Sequence, residues 1–152
     1  MKIITDRNTF LSQVASNFSF NPLKTGAGLD HPIGVVNGSD IQVTGGIVVS
    51  GKYMINPGGL IGGWQRPAHS LASFAFSAPV IAVGFDLLQC YHPLEVILES
   101  AAGIGNTLEQ LDAKNGSFFG VYHEPGFTRI AFGATGSYPW NVKPGTVLGQ
   151  TL

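Results

Sequence analysis

Charge is what this chain has least of. Asp, Glu, Lys and Arg make up 11% of its 152 residues, under half of the roughly 25% usual in soluble domains, so its surface must be built from Ser, Thr, Asn, Gln and Gly. The eight Lys and Arg are scattered singly and the formal net charge is -1, which excludes the basic stripe a nucleic-acid surface requires. Cysteine occurs once, at Cys90, so no intramolecular disulfide can staple the fold. With no basic neighbour to activate its thiol, Cys90 reads as a small buried hydrophobe. No apolar run approaches the ~18 residues of a membrane span, and the opening MKIITDRNTF lacks the charged-then-apolar pattern of a signal peptide. Neither a membrane segment nor an export signal is therefore expected. Helical periodicity is confined to one segment, residues 6–15, with Thr5 as the expected N-cap, Asp6 in the first turn and Phe10, Leu11 and Val14 as the buried stripe.

What the chain does have is aromatic alternation. Residues 70–88, SLASFAFSAPVIAVGFDLL, alternate small or polar with aromatic positions, break at Pro79 and resume as an apolar strand, which predicts two buried β-strands joined by a bend. Residues 118–122 and 127–132 predict a hairpin turned by Pro125-Gly126. Short strands are expected at 33–36, 41–44, 47–49 and 53–55, separated by Asn37-Gly38, Gly45-Gly46 and Ser50-Gly51. Residues 56–70 read as a long loop. Residues 94–99 read as a strand with Leu94, Val96 and Leu98 on one face and Glu95, Ile97 and Glu99 on the other, the pattern of one solvated face. Residues 107–113 fit either a strand or a helical turn, and 146–148 form a last short strand. Closely spaced strands in one chain of domain size predict a single all-β domain over 1–152, an antiparallel jelly-roll-like β-sandwich with one short N-terminal helix.

Three segments carry a resemblance. Thr5-Asp6-Arg7-Asn8-Thr9-Phe10-Leu11, the stretch Phe76-Ser77-Ala78-Pro79-Val80-Ile81-Ala82-Val83-Gly84-Phe85-Asp86, and Phe118-Phe119-Gly120-Val121 followed by Phe127-Thr128-Arg129-Ile130 resemble motifs of bacterial extracellular β-sandwich proteins of the PEP-CTERM type. The resemblance implies a jelly-roll sandwich used for surface display or binding. That family carries a signal peptide and a C-terminal sorting segment; this chain shows neither, and Met1 leads directly into the domain. Either those ends have been trimmed away or the domain is recruited into a protein made in the cytoplasm; the leading Met1 favours recruitment, with a bacteriophage virion protein as one natural host.

Catalytic chemistry finds little to work with. His92, Glu95 and Glu99 are close in sequence, but strand geometry separates His92 from the two carboxylates, and a solvated strand face explains them. Asp30-His31 and His123-Glu124 fall in turn segments, and no histidine pair has the spacing of a zinc site. Asp40 and Asp86 are weak candidates for a structural calcium, without the Asp-rich loop that supplies its many oxygens. No enzyme is expected. The binding candidates are two aromatic clusters, Trp64 with Gln65 and Arg66, and Trp140 with Tyr138 and Asn141. Such clusters stack on sugar rings, anchor protein interfaces, or cap the open ends of a sandwich core. The Asn-x-Ser triplets at Asn17, Asn37 and Asn115 match glycosylation acceptors, and turn chemistry explains them without an export signal. Low charge and Gly-rich loops favour a non-enzymatic subunit of a surface assembly, such as a virion decoration, cement or fibre protein contacting other subunits as a homo-oligomer or larger assembly. The alternative is a carbohydrate-binding module on a bacterial surface or secreted protein.

Overall fold

The computed structural model describes residues 1–21, 31–32, 36–47, 52–55, 61–64, 72–90, 94–100, 103–111, 116–133 and 140–152. These form β1 (Lys2–Ile4), α1 (Arg7–Gln13), β2 (Phe18–Phe20), β3 (His31–Pro32), β4 (Val36–Asn37), β5 (Val43–Ile47), β6 (Lys52–Ile55), β7 (Ile61–Trp64), β8 (Ala72–Cys90), β9 (Leu94–Ser100), β10 (Gly103–Leu111), β11 (Phe118–Gly133), β12 (Trp140–Pro144) and β13 (Val147–Thr151). The two longest strands, β8 and β11, run antiparallel along each other and form the spine. Both bend at one level. There Pro79 lacks a ladder N–H, Gly126 sits at φ 86°, and the register slips between Tyr122 and Phe127.

The bend divides the pairing into two layers. Before it in β8, the order is β10-β9-β11-β8-β5-β3. Beyond it, the order is β1-β11-β8-β13-β2-β4. The far end of β8 also pairs with β12, which continues through β7 to β6 as a three-stranded extension. Every pair is antiparallel, and the expected all-β sandwich with one short N-terminal helix is the architecture found.

Phenylalanines close the space between the layers. Phe20 of the second layer meets Phe74 of the first with ring centroids 5.5 Å apart at 87°, and Phe18 meets Phe76 at 6.2 Å. Phe85 links Phe74 to Phe119, and Phe127 packs on Phe76. Tilted and edge-on pairs place ring edges against ring faces, the favourable arrangement of their quadrupoles, and burying each such ring contributes about 1.5–3 kcal/mol. Gly149 lies directly opposite Phe18, where a Cβ would stand 2.1 Å from the ring, so no larger residue fits without moving the strand.

A smaller core lies outside the second layer, where Phe10 packs with Ile4, Val14, Ala82 and Phe118 under α1. Gly84 and Gly120 are cross-strand partners, and a Cβ on either would come within 3 Å of the Phe10 ring, at 2.9 and 2.7 Å respectively. The paired glycines are the notch that seats the helix. Asp6, not Thr5, is the N-cap: its carboxylate accepts from the Thr9 amide and hydroxyl, both at 2.8 Å, which holds its carboxyl below the ordinary carboxylate range. The helix stops at Gln13, so only Phe10 and the C-capping Val14 face the sheet, and Leu11 is exposed rather than part of the stripe.

Other expectations are corrected in the same way. Residues 118–133 form one strand rather than a hairpin, because each half pairs with a different stretch of β8 and Pro125-Gly126 supplies a bulge instead of a turn. Gly45 and Gly46 lie inside β5, held in register with Phe74 and Ser73, where ladder pairing overrides their turn preference. β8 is continuous through its bend, β7 interrupts the expected 56–70 loop, and 107–111 of the ambiguous 107–113 segment are strand as part of β10. The strand expectations at 33–35 and 48–49, and the side chain of Cys90, lie outside the described residues.

Candidate functional site

Strand alternation sends Phe74 and Phe76 of β8 into the core and Ala75 to the outer face of the first layer. The registers align Ala75 with Thr44 of β5 on one side and with Arg129 of β11 on the other, and Arg129 in turn with Glu99 of β9. Thr44, Ala75, Arg129 and Glu99 therefore form one row across four strands, and Ile104 of β10 holds the next position. Within it the Arg129 Nε lies 3.5 Å from the Glu99 Oε2, with side chains 26% and 43% exposed. Thr44 and Ala75, the next two positions of the row, are half-buried and small.

This row offers a specific chemistry. Guanidinium N–H groups donate, carboxylate oxygens accept, and the two charges offset each other locally. Side-by-side donors and acceptors of no net charge suit vicinal hydroxyls better than they suit an ion. His123 has its pKa lowered by partial burial and then by the N-terminal ammonium, which keeps it neutral near pH 7. Among the described residues no group of three or more His, Cys, Asp or Glu is placed to hold a metal ion. Asp86 is engaged by Arg7 of α1 on the outside of the second layer, while Asp40 is exposed in the connection between β4 and β5.

The aromatic candidates fall on the three-stranded extension. Trp64 ends β7 opposite Lys52, Trp140 opens β12 opposite Gly63, and Asn141 pairs with Gly62. Because Gly63 also pairs with Tyr53, the register places Tyr53, Gly63 and Trp140 in one row across three strands. Paired positions share a face and successive positions alternate, so Trp64 belongs to the opposite face from Trp140. Gln65, Arg66 and Tyr138 lie outside the described residues.

The sequence alone does not single out Glu99 and Arg129 as a site. Glu99 is legible there as an outward strand position, and Arg129 stands as the lone cation in the run FTRIAF, which is its only signal. Their meeting depends on the β9–β11 pairing, to which no local pattern points.

No protein-family model matches the chain, and no curated protein is similar to it in sequence. Solved structures are similar in shape. A mutant of the carbohydrate-binding module CBM29-2 superposes with a TM-score of 0.55 at 15% identity, over 90% of this chain and 94% of that one. CBM29_1 from Piromyces equi gives 0.54 at 9% identity, over 90% and 92%. The low-affinity xylan-binding module CBM86 from Roseburia intestinalis gives 0.50 at 9% identity, over 74% and 96%. This chain shares their sandwich fold. Mutants of CBM29-2 have also been solved with mannohexaose and with cellulohexaose. Identities this low establish the architecture and assign no residue a role.

Proposed function

We propose that this chain is a non-catalytic module that binds a neutral polysaccharide on the outer face of its first layer. The observation that carries the proposal is the Arg129–Glu99 pair, partly exposed in a row with the small Thr44 and Ala75. A flat strip with adjacent donors and acceptors fits the hydroxyl edge of an extended sugar chain, and a locally neutral pair favours neutral over acidic glycans. The fold shared with carbohydrate-binding modules supports this reading over the surface-assembly role suggested by scarce charge. A module with such a ligand acts outside the cell, where structural polysaccharides are met.

Affinity electrophoresis through gels containing soluble xylan or a β-mannan tests it. The wild-type chain should be retarded in at least one gel and the Arg129→Ala variant should not. Unretarded migration of the folded wild type in both gels would overturn the proposal. A second position for the same activity is favoured by the row Tyr53, Gly63, Trp140, where two aromatic residues flank a glycine. Loss of retardation in Trp140→Ala, with Arg129→Ala unaffected, would move the site to the extension.

A further inference from the structure

The turn after β4 contains chemistry that glycan binding does not use. Asn37 is exposed at the end of a two-residue strand whose one partner among the described residues is β2. Gly38 follows at φ 101°, and a Cβ there would lie 2.6 Å from the Asn17 carbonyl oxygen. Only glycine suits both the backbone angle and the space, so the fold requires a glycine after this asparagine. Among the described residues no hydrogen bond is made by the Gly38 amide. The second Asn-Gly pair differs at that atom: Gly116, also at positive φ, donates its amide hydrogen to the Leu87 carbonyl at 2.7 Å.

We infer that Asn37-Gly38 is a site of spontaneous backbone-assisted deamidation, and that Asn115-Gly116 is protected. The Gly38 nitrogen attacks Cγ of Asn37 and forms a C–N bond while losing its proton. The Cγ–Nδ2 bond breaks, and the nitrogen leaves as ammonia with the proton it takes up. Water then opens the resulting succinimide at either carbonyl, to give aspartate or isoaspartate. The net change is water consumed and ammonia released, with no other reactant. Reaction requires Asn37 to leave its extended conformation, and a two-residue strand paired on one described side opens at low cost. The isoaspartate product adds a methylene to the main chain beside Val36, which packs against the large core, and so disturbs the Val36–Phe20 pairing.

The test is incubation of the purified chain in mildly alkaline and mildly acidic buffer, followed by peptide mapping and labelling with isoaspartyl methyltransferase. The peptide containing Asn37 should gain the mass difference between an amide and a carboxyl several-fold faster than the peptide containing Asn115, and faster in the alkaline buffer. Asn37→Gln should abolish labelling there while the fold is retained. Equal rates at the two asparagines, or conversion at Asn115 alone, would overturn the inference.

Discussion

The two outer faces of the sandwich are finished differently. Outside the second layer, Gly84 and Gly120 are cut away to the backbone so that Phe10 can fill the space, and Arg7 ties the helix to Asp86. Outside the first layer, Thr44 and Ala75 are small and half-buried, and Arg129 and Glu99 keep partial solvent contact. One face gains stability by being covered. The other keeps a charge pair half in water, where it contributes little to folding, and that is the face proposed to take the ligand. Substitutions should therefore separate the two cleanly, with the covered face governing stability and the open face governing binding.

The largest effect is expected at Phe10. Phe10→Ala removes the ring from its notch and should lower unfolding free energy by about 3–5 kcal/mol, measured by denaturant titration, while glycan affinity of the folded fraction stays unchanged. Next come Gly84→Ala and Gly120→Ala, where a Cβ intrudes on Phe10 and on Phe118. Each should cost about 1–3 kcal/mol by overpacking; partial recovery in combination with Phe10→Leu would pin the cost to the notch. Arg129→Ala and Glu99→Ala should invert the pattern. A partly exposed ion pair is worth about 1 kcal/mol or less, so the melting temperature should barely move while glycan affinity falls about tenfold or more, since hydrogen bonds from charged groups contribute roughly 1.5–3 kcal/mol to a bound ligand.

The smallest effect is a pH dependence at His123. Its pKa is depressed below the ordinary 6.5 by burial and by the N-terminal ammonium. Well above pH 6.5 the imidazole is neutral whether the chain is folded or not, so it makes no difference to stability. Below that value the unfolded chain takes up the proton first, and stability falls with pH until the folded value is also passed. His123→Gln should flatten this part of the stability profile, seen by thermal melts across the window, and leave glycan binding at neutral pH unchanged.

Much of this contrast is legible in the amino-acid sequence, and the reason is locality. Period-two alternation is a property of neighbouring residues, so the inward Phe74, Phe76, Val83 and Phe85 and the outward Glu99 can be read directly. Pro79 announces the bend for the same reason. Pro125-Gly126 does not announce its role, because a turn and a bulge share the same local chemistry, and only the length of β8 decides between them. The helix cap moves by one residue because Asp6 and Thr5 are both good caps, and the bond to Thr9 selects Asp6. The opposite faces of Trp64 and Trp140, and the meeting of Arg129 with Glu99, follow from registers between distant strands. A single sequence contains no signal for those.

Calorimetric titration of cellulohexaose and mannohexaose into the wild-type chain and into the Arg129→Ala variant tests the central claim most directly. The account predicts saturable binding of at least one hexasaccharide by the wild type, weakened about tenfold or more in a variant that melts at nearly the same temperature. Wild-type binding that survives intact in Arg129→Ala, or a folded wild type that binds neither sugar, would contradict it.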